Sequence, residues 1–278
     1  MDFNIIKTIV IPTQENINPE EGDYLMDGLL YCGKCDTPKE GIFDFPNGQM
    51  KIRHLCKCAA EAYKRDQAEI KRRERNEHIA KMRKAGFPDK DMQGWNFSRD
   101  DHANEKLTSI AHKYVENFPR MLEAGKGLLF HGGVGTGKTF LAACIVNELI
   151  SQGYPCMITN FSRLINTIQG MFEGKQEYID KLNKFTLLVL DDFGIEANTE
   201  YRSETVHNII DSRYNAGLPT IVTTNLSPQE LKSPSDLRKS RMYSRLFEMC
   251  IPVAVQGADR RRQYLRDSVG EYKDLLGL

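Results

Sequence analysis

Short runs of consecutive apolar residues punctuate the second half of the chain. They fall at 127–131 (GLLFH), 155–159 (PCMIT), 186–191 (TLLVLD), 219–223 (PTIVT) and 250–255 (CIPVAV). None alternates apolar with polar positions, so each predicts a strand buried on both faces. Between them, 3.6-residue spacing predicts helices at about 138–152, 161–173, 176–183 and 202–216. Strands alternating with helices imply an α/β fold, a five-stranded parallel sheet covered on both faces. Upstream, Leu107, Ile110, Ala111, Tyr114 and Phe118 recur at helical spacing and predict one amphipathic helix over 102–122.

The pattern changes before that point. Residues 59–85 contain no Gly or Pro, and nine Lys/Arg face five Asp/Glu between Glu61 and Lys84. The stretch lacks a wide apolar stripe and reads as a solvated connecting helix, with a nucleic-acid arm as the alternative. Gly86, Pro88 and Gly94 then predict a linker over 86–98. Residues 1–58 carry clustered cysteines, several Gly and Pro, and little helical periodicity. The expected organisation is a small N-terminal module at 1–85, the linker, and an α/β domain at 99–278.

Size and charge narrow the classes. With 278 residues and 40% apolar content the chain can build a real core. Its formal net charge of zero rules out a global field for nucleic acid, so any basic surface is local. No apolar run approaches the ~18 residues of a membrane span, and no signal peptide is visible, so the expected location is cytoplasmic. Seven cysteines in such a chain suggest metal ligands or core thiols rather than disulfides.

The loop GGVGTGKT follows the strand at 127–131 and opens the helix at 138–152. Gly132, Gly137, Lys138 and Thr139 match the spacing of a phosphate-binding loop. Its glycines let backbone N–H groups face phosphate oxygens, and the helix N-terminus adds partial positive charge. The binding surface is expected to be Gly132, Gly133, Val134, Gly135, Thr136, Gly137, Lys138, Thr139 and Phe140. Lys138 can reach the β- and γ-phosphates of ATP, and Thr139 can ligate Mg²⁺.

The strand LLVLDD ends in two carboxylates, suiting Asp191 to Mg²⁺ and Asp192 to the attacking water. Asn225, just past the strand at 219–223, can hydrogen-bond the γ-phosphate or cap the following turn. An arginine-rich segment follows, with Arg238, Lys239, Arg241, Arg245, Arg260, Arg261, Arg262 and Arg266. A planar, permanently charged fork suits triphosphate recognition, while surface pairing with Asp236, Glu248 and Asp259 is the alternative use.

Cys32-x2-Cys35 and Cys56-x-Cys58 make two close thiol pairs twenty residues apart. That pattern suits tetrahedral Zn²⁺, with His54 as a possible replacement ligand and free thiols or a redox pair as alternatives. Cys144, Cys156 and Cys250 fall in core elements and read as ordinary buried thiols.

Taken in order, GGVGTGKT, LLVLDDFG, TTN, SRMYSRLFE and GADRRR resemble the AAA+ ATPases of the DnaC/DnaI type, the bacterial and phage helicase loaders. The likeness covers about residues 95–278 and implies a P-loop AAA+ domain with no lid domain. On the resemblance Asn225 is sensor 1, Arg245 an arginine finger acting on a neighbouring subunit, and Arg261 sensor 2, with Arg260 or Arg262 as the alternative. It also implies self-association through the ATPase domain and a grip on a hexameric replicative helicase of the DnaB type. That grip belongs to an N-terminal cysteine-ligated zinc module. Single-stranded DNA would meet the segment 161–184, with Arg163, Lys175, Lys181 and Lys184 for phosphates and Phe161, Phe172 and Tyr178 for bases. The implied function is ATP-dependent helicase loading, with weak hydrolysis in isolation. A transposition helper ATPase of the IstB type, or an ATP-switched protein platform, are the alternatives.

Overall fold

Alternate residues of one strand show how the core is built. On the strand Leu187–Phe193, Leu187 and Val189 join one buried cluster while Leu188 and Leu190 join another. A strand whose side chains all enter a core must sit inside a sheet covered on both faces. The computed structural model describes residues 19–101, 103–194, 200–232 and 237–262, with 269, 272–273 and 275–277 beyond. It divides into two compact units, Met1–Glu77 and His78–Leu278.

In the first unit β1 (Tyr24–Met26) pairs antiparallel with β2 (Leu29–Tyr31), and β3 (Glu40–Phe45) with β4 (Gly48–Arg53). Asp27 and Gly28, both at positive φ, make the turn between β1 and β2, the dipeptide favoured in two-residue hairpins. Helix α1 (Lys57–Gly86) begins in this unit, and the division falls within it.

The second unit holds a five-stranded sheet. Its strands are β5 (Gly127–His131), β6 (Cys156–Asn160), β7 (Leu187–Phe193), β8 (Thr220–Thr224) and β9 (Cys250–Ala254). Their order is β6-β7-β8-β5-β9, and every neighbouring pair is parallel. Helices α2 (Glu105–Glu116), α3 (Phe118–Glu123) and α4 (Lys138–Gln152) contribute to one buried cluster. The other cluster draws on α5 (Phe161–Gln169), α6 (Lys175–Lys181), α7 (Glu200–Asn215), α8 (Pro228–Lys232) and α9 (Leu237–Met249). Among the described residues no helix is long and apolar enough to cross a membrane.

Two expectations change. The helix expected over 102–122 is two, because Pro119 in the first turn of α3 has no N–H to continue the upstream ladder. Residues 86–98, expected as a linker, are packed instead. Phe87 is buried, and Met92, Trp95 and Phe97 lie against the core through short 3₁₀ turns at Asp91–Gly94 and Phe97–Arg99. Buried Asn147 of α4 donates to the carbonyls of Met92 (2.9 Å) and Trp95 (2.7 Å), which fastens this segment down.

Candidate functional site

The loop Gly132–Gly137 leaves the carboxyl end of β5 and turns into α4 at Gly137, whose φ is 97°. Gly132 stands at φ 150°, and a Cβ there would overlap the Val255 carbonyl beyond β9. Only glycine lets the backbone take this path. The loop borders a cavity of about 580 Å³, inside the ~300–1,000 Å³ range of small-molecule sites. Of the expected surface, Val134, Gly135, Thr136, Gly137, Lys138, Thr139 and Phe140 line it, together with Asp192, Asn225 and Arg261.

Lys138 is buried. Its Nζ donates to the carbonyls of Gly132 (2.9 Å) and Gly133 (2.7 Å) and to Asn225 Oδ1 (2.7 Å). The ammonium therefore sits inside the loop with Asn225, the residue after β8, beside it. Burial lowers its pKa from the usual lysine value, while the charges of Asp192 and Asp191 oppose that shift.

Asp191 ends the regular part of β7. Its carboxylate accepts from Thr139 Oγ1 at 2.8 Å and from Thr223 Oγ1 at 2.5 Å. Adjacent oxygens in a Mg²⁺ octahedron stand roughly 2.9 Å apart, so the Thr139–Asp191 pair has the spacing and hardness to share one cation. Burial raises the Asp191 pKa, and the Thr223 hydrogen bond works against the rise. Pairing with β8 shifts register between Leu190 and Phe193, and Asp192 takes φ 59°. Its backbone N–H donates to Thr223 Oγ1 at 3.0 Å, and this bulge turns the residue toward the cavity.

Arg261 lines the cavity, and its charge reaches Lys138. Arg260 lines it too and pairs with Asp101 at 3.1 Å, whereas Arg262 pairs with Asp259 at 3.4 Å. Arg245 is not at this site. It lies on α9, ion-paired with Asp211 of α7 and 5.4 Å from the Tyr214 ring centre. Asp236 and Arg266 lie outside the described residues, as does the side chain of Arg238.

Arg260, one of the arginines expected near the triphosphate, lines the cavity, and Trp95, Arg99 and Asp101 complete its wall although no local motif marks them. The tryptophan is the available signal, since it is the chain's only one and stands just before the α/β domain expected at 99–278. On the surface assigned to DNA, Phe161 is buried in the core and Tyr178 packs against it. Phe172, on the loop between α5 and α6, is fully exposed at 102%. Lys175 lies over the Tyr201 ring, and Lys181 pairs with Glu177 at 2.8 Å.

In the first unit Cys32, Cys35, Cys56 and Cys58 converge, with all four sulfurs within 4.8 Å of one another. Cys32 and Cys35 flank the turn after β2, while Cys56 and Cys58 stand at the start of α1. A tetrahedron of Zn–S bonds has sulfur–sulfur edges of roughly 3.8 Å. The observed Cys32–Cys58 separation is 3.7 Å and Cys56–Cys58 is 3.4 Å. Thiols this close do not ionise independently. Cys58 is pushed up to about 12, chiefly by Cys56, while the Thr37 hydroxyl draws Cys35 down to about 6. A divalent cation would relieve that conflict, so the donor set fits zinc. His54 stands outside the cluster, its Nδ1 3.2 Å from the Leu55 carbonyl. Cys144, Cys156 and Cys250 are buried, and burial pushes each thiol up to about 12.

Comparison with known proteins places this geometry. Residues 59–268 match the sequence model of the family described as IstB-like ATP binding protein. The chain is 26% identical to the replicative helicase loader DnaI of Bacillus subtilis over 65% of its own length and 62% of DnaI. It is 29% identical to the replicative helicase loader DnaC of Escherichia coli, over 49% of its own length and 56% of DnaC. A putative ATP-binding protein in an insertion sequence of Mycobacterium tuberculosis, Rv3427c, is 26% identical over 84% of this chain and 90% of that protein. The chain thus spans less than two thirds of the two loaders and most of the insertion-sequence protein. Among solved structures, DnaI superimposes with a TM-score of 0.53 at 26% identity, covering 62% of this chain and 96% of that one. The DnaC helicase loader gives 0.50 at 26% identity, over 60% of this chain and all of that one. The P-loop fold is therefore of the DnaC/DnaI kind, and the chain belongs to the family of IstB-like ATP-binding proteins.

Proposed function

We propose that this protein is an ATP-dependent loader of a hexameric replicative DNA helicase onto single-stranded DNA. The observation that carries the reading is the four-thiol cluster, folded in its own unit ahead of the P-loop unit. That cluster would bind one structural Zn²⁺ through Cys32, Cys35, Cys56 and Cys58, and its unit would grip the helicase.

In the nucleotide site Lys138 would hold the β- and γ-phosphates, and Thr139 with Asp191 would hold Mg²⁺, which neutralises charge on the transferring phosphoryl group. Asp192 would orient the attacking water. Asn225, already paired with Lys138, would sense the γ-phosphate, and Arg261 would add charge from the segment after β9. Arg245 would act on a neighbouring subunit, so hydrolysis would need self-association. The exposed Phe172, with Arg163 and Lys184 on the same segment, would contact single-stranded DNA.

A transposition helper is the second reading. It is favoured by the insertion-sequence relative, which is matched over 90% of its length. Native mass spectrometry with the host's replicative helicase, with and without ATP, separates the two. A defined complex that is lost when Cys32 and Cys35 become Ser supports the loader. Absence of any complex, together with preference for duplex over single-stranded DNA, overturns it in favour of the helper.

A further inference from the structure

Helix α1 carries a charge pattern that neither the nucleotide site nor the thiol cluster uses. Within the first unit every residue from Ala68 to Glu77 is exposed. A helix wetted on all sides is held by opposite charges three or four residues apart. Two such pairs are present, Glu69–Arg72 at 3.9 Å and Arg73–Glu77 at 3.0 Å.

Other cations of the helix are not arranged that way. At about 100° per residue, Lys64, Lys71 and Arg75 fall within about 40° of one another, with Arg65 and Arg72 along one flank. Asp66, Glu69 and Glu77 turn to the opposite side, and Glu61 and Glu74 stand at the margins. Lys71 and Arg72 precede Arg75 by four and three residues, so like charges meet at the spacing that destabilises an isolated helix. Solvation alone would be served by mixed signs; cations kept on one side fit a polyanion laid along the helix. From Lys64 to Arg75 the row runs about 16 Å, with the small Ala68 between its cations. Tyr63 and Ile70, the exposed apolar side chains larger than alanine here, point away from it. A protein partner would want an apolar centre on this face, and base stacking would want an aromatic one. The row offers charge alone, which suits phosphates irrespective of sequence.

We propose that this face of α1 is a DNA-backbone contact, in which Lys64, Lys71 and Arg75, flanked by Arg72, hold phosphodiesters without reading bases. It is separate from the nucleotide site and from the single-strand contact assigned to Phe172, and it serves single strands and duplex alike.

The test is the salt dependence of DNA binding by the full chain without nucleotide, followed by anisotropy of labelled single-stranded and duplex oligonucleotides. Joint replacement by Lys64→Gln, Lys71→Gln and Arg75→Gln keeps good helix formers at exposed positions, and far-ultraviolet circular dichroism checks the fold. The slope of log K against log salt should fall by about 2.7 for duplex and about 2.1 for single strands, three phosphate contacts in each case. Lys64→Arg with Lys71→Arg should retain both slopes, and Phe172→Ala should weaken single strands only. Slopes equal to the parent's in the Gln variant overturn the α1 contact, and a surviving Phe172→Ala effect then leaves the single-strand contact standing. Poly-glutamate held as tightly as DNA, and lost in the Gln variant, overturns it in favour of an acidic protein partner. Binding of neither oligonucleotide by the unaltered chain overturns both contacts.

Discussion

The carboxylate of Asp191 accepts hydrogen bonds from two threonines, Thr139 of α4 and Thr223 of β8, which lie on different elements and far apart in sequence. Thr139 belongs to a local motif with fixed spacing, and so do Lys138 and the Asp191–Asp192 pair; all four are legible as residues with a task. Thr223 belongs to the TTN strand end, but of that run only Asn225 is assigned a task, because nothing local shows which threonine hydroxyl will meet Asp191. Trp95, Arg99 and Asp101 escape a local reading for the same reason, since the wall they build forms only when distant segments meet. Another such contact is the ion pair of Asp23 and Lys39, whose side chains are 2% and 8% exposed and 2.6 Å apart. Lys39 holds the Asp23 carboxyl below its usual value. A carboxylate depressed in the folded state contributes stability that is present above the unfolded value of about 3.9 and lost as pH falls through the folded value. Asp23→Asn should therefore melt below the parent at neutral pH, with the gap closing below about pH 4. A gap that widens toward acid would contradict this pairing.

At the scale of elements, the apolar runs locate the sheet closely: β5 and α4 occupy 127–131 and 138–152, as their periodicity predicts. Where the pattern is short or interrupted, reading is poorer. The hairpins β1–β2 and β3–β4 leave little periodicity in the sequence, and Asp27-Gly28 between apolar residues is the local turn signal of the first. Gly86, Pro88 and Gly94 were read as breaks, and they are; what they interrupt is a packed segment rather than a tether. A buried cation joins several elements. Arg213 of α7, 1% exposed, donates to the carbonyls of Phe185 (3.0 Å) and Pro219 (2.6 Å) and to Thr220 Oγ1 (3.2 Å). Burial lowers its pKa to about 10, still well above neutrality. Arg213→Met keeps much of the volume and strands those carbonyls, at ~1–3 kcal/mol each. Denaturant unfolding should show the second unit destabilised by roughly 3 kcal/mol; a change below about 0.5 kcal/mol would remove Arg213 from the account of stability.

For the whole molecule, the two units make separable demands. Chelation of zinc should lower the melting temperature of the first unit, whose core is small, and leave ATP affinity of the P-loop unit within about two-fold. Metal analysis should return one zinc per chain, and none after Cys32 and Cys35 are changed to Ser. Loss of ATP binding on chelation would show that the units are not independent. Assembly is tested through Arg245, which in the single chain is engaged with Asp211 and Tyr214. Arg245→Ala should leave ATP affinity unchanged and reduce turnover by about 10³-fold or more under conditions of self-association. Lys138→Ala should lose binding outright. Equal loss of binding in both would count against an arginine acting between subunits.

The sequence by itself determined the five strands and the helices α4 to α7 of the P-loop unit, the phosphate loop, the carboxylate pair and the four thiols, because each is written in spacing over a few residues; the break between α2 and α3 and the helices α8 and α9 lie beyond that reading. Backbone sterics and the 2.0 and 3.6 periods act at that range. Only the tertiary structure decided that β8 and β9 flank β5, that Thr223 completes the Asp191 site, that residues 86–98 pack against the core, and that Trp95, Arg99 and Asp101 wall the cavity. Those outcomes depend on which buried faces meet, and burial is non-directional, so no local pattern names the partner.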